Sequence, residues 1–180
     1  MAEGRLNGKT VLMVIPHTQF RDEEFFEPKK LLESDGARVV IASTTVRTCY
    51  SVKGESVASQ ITIADAKADD YHALVLCGGT SVPDFLWNDK KLHELAVAMS
   101  TAGKVIAAIC LSTVILAKAK LLADRLATVY FLPQAIQELK TAGAKYVKEP
   151  LVVDKNLILA EGPLESTRFG QAICAALSLG

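Results

Sequence analysis

Cys110 stands where an apolar run, KVIAAI, gives way to a helical pattern that begins near Ser112. That is the placement of a nucleophile elbow, in which a side chain is presented at a sharp strand-to-helix turn. Such a turn needs small neighbours. Ala108 two residues before and Ser112 two residues after supply them, although A-x-C-x-S lacks the glycines of the strongest examples. A thiol at a helix N-terminus feels unpaired N–H groups and the positive end of the dipole, which favour the thiolate. A thiol buried at a strand end feels desolvation, which opposes it. On local sequence alone, a reactive and an inert Cys110 are both open.

Two further features follow apolar runs. Glu24, in RDEEFFEP, becomes a proton donor or acceptor if burial lifts its pKa toward neutrality. Otherwise it is a solvated carboxylate favouring the start of a helix, which is the reading for Asp22, Glu23 and Glu27. Gly78 and Gly79, after YHALVL, let the backbone approach a ligand, so their N–H groups, with that of Leu111, could form an oxyanion hole. They fit a tight strand-to-loop turn equally well. Of three histidines, His72 starts a strand and His93 lies in a peripheral helix, so His17 alone follows a strand and could serve as base or substrate contact. Cys77 ends a strand expected beside that of Cys110, which makes it a candidate second thiol or a small core residue; Cys49 and Cys174 read as buried hydrophobes.

The elements that position these residues follow from periodicity. KTVLMVIP, DEEFFEPKKLLESDG and ARVVIAS read as strand, helix ended by Gly36, and strand, which is a βαβ unit. The rhythm returns as YHALVLCGG, an amphipathic stretch from about Asp89 to Ala102, KVIAAIC, STVILAKAKLL, ATVY and PQAIQELKTAG, and LESTRFGQAICAALSL closes the chain as a helix. Near-continuous apolar strands imply an α/β fold with a parallel sheet covered on both faces. CYSVKGESVASQITI and VVDKNLILAEG, with turns at Lys53-Gly54 and Asp154-Lys155-Asn156, are expected as antiparallel hairpins or edge strands added to that sheet. In such a sheet ligands bind beyond the carboxyl ends of the strands, where PHTQFRDEEF, CGGTS and CLST all fall.

Composition excludes several classes. A chain of 180 residues, half of them hydrophobic, suits one domain over residues 1–180. Twenty basic against 20 acidic residues leave no basic surface for nucleic acid. The N-terminus lacks a signal-peptide core and no run is long and apolar enough to span a membrane, so a cytoplasmic location is expected. Four scattered cysteines without a CxxC pair indicate neither a zinc site nor a disulfide framework.

Taken together, VLMVIP, RDEEFFEP, ALVLCGG, VIAAICLSTVILAKAKLLADRLATVY and AEGP resemble the PfpI/ThiJ family, of the class I glutamine amidotransferase-like superfamily, from about residue 9 to residue 178. The matching features are Glu24 four residues before Pro28, the Gly78-Gly79 strand end, and the elbow Ala107 to Cys110. The resemblance implies a flavodoxin-like, doubly wound sheet between helices, Cys110 as nucleophile, and Glu24 as a protonated carboxyl hydrogen-bonded to its sulfur. It also implies a homodimer and no cofactor.

Two departures from the family pattern bear on activity. Peptidase- or amidase-like members carry histidine directly after the cysteine, where this chain has Leu111. Members resembling the parkinsonism-associated deglycase carry one about twenty residues on, where this chain has Tyr130. Cys77 also stands where relatives usually have proline. The expected function is therefore attack of Cys110 on a small reactive carbonyl, of glyoxalase or deglycase type, in a stress response. The alternatives are a peptidase or amidase acting on a peptide-like substrate, which lacks its base, a redox sensor or stress-binding protein, and an inactive partner module.

Overall fold

The computed structural model describes residues 4–180. In chain order the elements are β1 (Thr10–Val14), β2 (Thr18–Phe20), α1 (Asp22–Ser34), β3 (Arg38–Ser43), β4 (Thr48–Ser51), β5 (Ser56–Ala58), β6 (Ile61–Thr62), β7 (Ala73–Leu76), α2 (Val82–Phe85) and α3 (Lys90–Thr101). There follow β8 (Val105–Ile109), α4 (Thr113–Lys118), β9 (Leu126–Ala127), α5 (Pro133–Thr141), β10 (Lys145–Tyr146), β11 (Leu151–Asp154), β12 (Leu157–Ala160) and α6 (Ser166–Ser178).

Seven strands form the central sheet in the order β11-β12-β8-β7-β1-β3-β6. All neighbours are parallel except β11 and β12. Read along the five long parallel strands, this is the flavodoxin-like order, with the switch point between β1 and β7. β7, β8 and β12 are buried at every position, which is the burial a sheet covered on both faces requires. Helices α1 and α6 pack together on one face and α3 and α4 on the other.

Gly170 sets the closeness of the first pair: a Cβ there would come within 2.7 Å of Leu31 Cδ1 and 3.0 Å of Pro28 Cα.

Three expectations change. Of the first segment, the hairpin β4–β5 does not extend the central sheet but joins β2 in a separate three-stranded sheet over the strand ends, while β6 at its end is the expected edge strand, parallel to β3. In the second hairpin only β11 is an antiparallel addition, because β12 pairs in parallel with β8 and is a core strand. The segment read as a strand at ATVY is reduced to β9, which pairs only with β10, and the helix after Cys110 ends at Lys118, with Lys120 in the left-handed region.

Candidate active site

The site grows from helix α1. Its buried residues include Glu24, Pro28 and Leu32, spaced by four, so Glu24 lies on the apolar stripe that faces the sheet rather than on the solvated side. Pro28 has no N–H to return to the carbonyl of Glu24, so the helix is open at the turn that carries the carboxyl. Asp22, expected to be solvated, is buried and accepts the Lys53 N–H at 3.2 Å, while Glu23 pairs with the Lys53 ammonium. These two carboxylates tie the small sheet to the start of α1. Glu27 accepts from Thr167 Oγ1 at 2.8 Å.

Cys110 follows β8 with φ +62° and opens a single 3-10 turn over Cys110–Ser112 that leads into α4. A left-handed conformation costs a residue with a Cβ about 1–2 kcal/mol. The turn is held from three sides. Ser112 Oγ donates to the carbonyl of Cys77 at 2.6 Å, Trp87 Nε1 donates to the carbonyl of Leu111 at 2.8 Å, and the Tyr130 N–H lies 3.5 Å from the carbonyl of Cys110.

Gly78 brings acid and thiol together. A Cβ at that position would lie 2.1 Å from Glu24 Oε2 and 2.7 Å from Cys110 Cβ, so both residues occupy the space a side chain would need. Gly79, at φ +148°, is required for a second reason: a Cβ there would lie 2.3 Å from the carbonyl oxygen of Gln19. The loop after β7 is thereby stitched to the loop after β1, with Arg21 N–H donating to the Gly78 carbonyl at 3.0 Å and Thr80 N–H to that of Gln19 at 3.2 Å.

The electrostatics weigh the two opposed influences on Cys110. Glu24 is fully buried, and neither carboxyl oxygen has a partner in hydrogen-bonding geometry. Burial raises its pKa to about 7, partly offset by the nearby Cys110 thiol, the charge of Arg21 and the Gly78 N–H. Helix position was expected to favour the Cys110 thiolate, yet burial pushes the thiol well above its ordinary value, with the charge of Glu24 adding to the rise. The Leu111 N–H and Arg21 act in the opposite direction. Acid and thiol form one coupled pair, and neutral Glu24 is the state that lets the sulfur ionise. Gly78 and Leu111, expected as oxyanion donors, bring their N–H groups near the carboxyl and the sulfur respectively, where each lowers the pKa of its neighbour.

The other candidates divide. Tyr130 is half-exposed and, with Arg21, Phe131, Glu161, Gly162 and Glu165, lines a cleft of about 420 Å³ over the strand ends. Neither His17 nor the Cys110–Glu24 pair is among those lining residues; the His17 ring meets Phe85 edge-on with centroids 4.3 Å apart, and desolvation, then Arg47, lowers its pKa. Cys77 is sealed from solvent, and continuing the β7–β8 register sets it beside Ile109, one residue short of Cys110. His72 Nδ1 accepts the Thr10 N–H and His93 Nε2 meets the Trp87 carbonyl, so both serve the fold. Sequence reasoning missed Arg21 and the cleft. Arg21 immediately precedes the acidic helix start, where a lone cation was the available signal. Among the described residues no cluster of His, Cys, Asp or Glu is placed to hold a metal, and no helix is long and apolar enough to cross a membrane.

Comparison with known proteins places this geometry. A profile of the DJ-1/PfpI family matches residues 9–176. An uncharacterised protein of Methanocaldococcus jannaschii is 45% identical over 97% of this chain and 85% of its own length. The protein named deglycase PfpI of Pyrococcus furiosus is 30% identical over 84% of this chain and 90% of its own. The crystal structure of a ThiJ/PfpI domain protein from Brachyspira murdochii superimposes with a TM-score of 0.90 at 29% identity, covering 96% of this chain and 99% of that one.

Proposed function

This chain belongs to the DJ-1/PfpI family, and on that premise we propose that it uses Cys110 as a nucleophile on small reactive carbonyls, with Glu24 moving the proton. The observation that carries this reading is the buried, unpartnered carboxyl of Glu24 meeting Cys110 across Gly78. A neutral acid buried beside the sulfur is poised to give its proton to an oxygen that develops charge there. The thiolate adds to the aldehyde carbon of a 2-oxoaldehyde, the carbonyl pair moves to oxygen, and Glu24 supplies the proton, leaving a hemithioacetal and a carboxylate. This chemistry takes neither metal nor cofactor. The reading includes a homodimer and a role in carbonyl stress, in keeping with relatives named deglycases.

The peptidase reading is weaker, because neither Leu111 nor Tyr130 is a base at neutral pH and His17 is packed on Phe85. One further reading shares the same observation: a protonated Glu24 also suits a sulfinate formed at Cys110 by peroxide. Methylglyoxal consumption by the wild type and Cys110→Ser, with intact mass after mild peroxide, tests both. Turnover is expected to fall about a hundredfold or more in Cys110→Ser. Equal turnover by the two proteins rules out the carbonyl reading.

A further inference from the structure

We propose that Arg21 is the positioning cation of this site: its guanidinium, on the cleft wall beside the Cys110–Glu24 pair, holds negative charge at the sulfur and at the oxygen of a carbonyl under attack. The proposal rests on the cysteine-nucleophile reading above and supplies the cation that the residues after Cys110 do not.

Position comes first. The backbone of Arg21 is fixed on both sides, its N–H donating to the Gly78 carbonyl at 3.0 Å and its carbonyl accepting from the Phe25 N–H at 3.2 Å. Gly78 is the residue that touches both Glu24 and Cys110. Arg21 is therefore tethered one contact from the reacting pair, and its side chain reaches the cleft that Tyr130 joins to the Cys110 carbonyl.

Availability comes second. Arg21 is the one Lys or Arg that lines the cleft. Its nearest carboxylate, Glu23 Oε2, is 3.8 Å away, and Glu23 is already engaged by Lys53, so the fork of five N–H donors is largely unspent. Of the two carboxylates that also line the cleft, Glu165 is held by Arg168 at 2.9 Å, leaving Glu161 as the other charge there. The charge of Arg21 also lowers the pKa of both members of the pair, and among the described residues it is the one cation that acts on either.

Chemistry comes third. Arginine does not release its proton near neutrality, so it cannot replace the missing histidine as a base. It does stabilise the thiolate before attack and the oxyanion after it, while Glu24 supplies the proton that leaves a neutral hemithioacetal.

Alkylation of Cys110 reads this charge without any need for carbonyl turnover. Rates of modification by iodoacetate, an anion, and by iodoacetamide, its neutral analogue, are measured by intact mass and peptide mapping in the wild type, Arg21→Gln and Arg21→Lys. The iodoacetate-to-iodoacetamide ratio is expected to fall about fivefold in Arg21→Gln and to stay within about twofold of wild type in Arg21→Lys. Added salt should lower the wild-type ratio and leave that of Arg21→Gln unchanged. A purely structural role would slow both reagents together, so an unchanged ratio in Arg21→Gln overturns the proposal even if both rates drop. Failure of Cys110 to react with either reagent would remove the nucleophile reading as well.

Discussion

Glu24→Gln should make the protein more stable above neutrality and, by removing the carboxylate charge beside the sulfur, ease the ionisation of Cys110. Glu24 is fully buried, and its pKa lies at about 7 rather than 4.5 because burial penalises the charge. Between those values the folded state holds a proton that the unfolded state has released, so stability falls as pH rises and levels off above about 7. At about 1.4 kcal/mol per pH unit, this one group makes the fold about 3 kcal/mol less stable at pH 8 than at pH 4.5. Glutamine keeps the shape and cannot ionise. Urea unfolding followed through the only tryptophan, the buried Trp87, gives the test at pH 5, 6, 7 and 8. Other titrations, including that of His17, whose depressed pKa gives a slope of opposite sign, cancel in the difference between the two proteins. That difference should grow from about 1 kcal/mol at pH 5 to about 3 kcal/mol in favour of Glu24→Gln at pH 8. Parallel stability curves would refute the argument, since they would mean that Glu24 titrates alike folded and unfolded.

Gly78→Ala should lower the melting temperature, because its Cβ would sit 2.7 Å from Cys110 Cβ as well as 2.1 Å from Glu24 Oε2. Overpacking of that kind costs about 1–3 kcal/mol, or roughly 3–10 °C at this chain length, and an unchanged melting temperature would show that the loop moves freely. Cys110→Gly should be about 1 kcal/mol more stable than Cys110→Ala in urea, since the left-handed backbone at this position suits glycine, and the reverse order would argue against strain at the elbow. Among the four thiols, Cys110, the most exposed at 7%, should be alkylated first and the sealed Cys77 last. Mild peroxide should therefore add oxygen to Cys110 without the loss of two hydrogens that a Cys77–Cys110 disulfide would give; detection of that disulfide by mass would overturn the assignment of Cys77 to the core.

The sheet was legible because its signal is local and repeated: β1, β7 and β8 are short apolar runs, each followed by a glycine, a cysteine or a polar turn. The meeting of Glu24 and Cys110 was legible only through the whole family pattern, since 86 residues of chain separate them and periodicity says nothing about which strand ends adjoin. The role of β12 was hidden because a hairpin turn looks the same whether its second strand is an edge or the fifth strand of the core. The balance of influences on the thiol stayed open for a related reason. Helix position is written in the sequence, whereas the burial that outweighs it comes from α1, the small sheet and the loop after β7 closing over one point.

That point is where the local rules are broken together. A proline interrupts a helix one turn after a buried acid, a cysteine and Gln19 adopt left-handed backbone, and two consecutive glycines leave space that their neighbours fill. Each departure costs stability on its own. Packing alone would not gather them, because an apolar residue at position 24 on the stripe with Pro28 and Leu32 would be better buried than a carboxyl. What the arrangement secures is a neutral acid and a thiol meeting at a position with no side chain, with a cation beside them that lines a cleft. That combination is costly for a fold and useful for adding sulfur to a carbonyl.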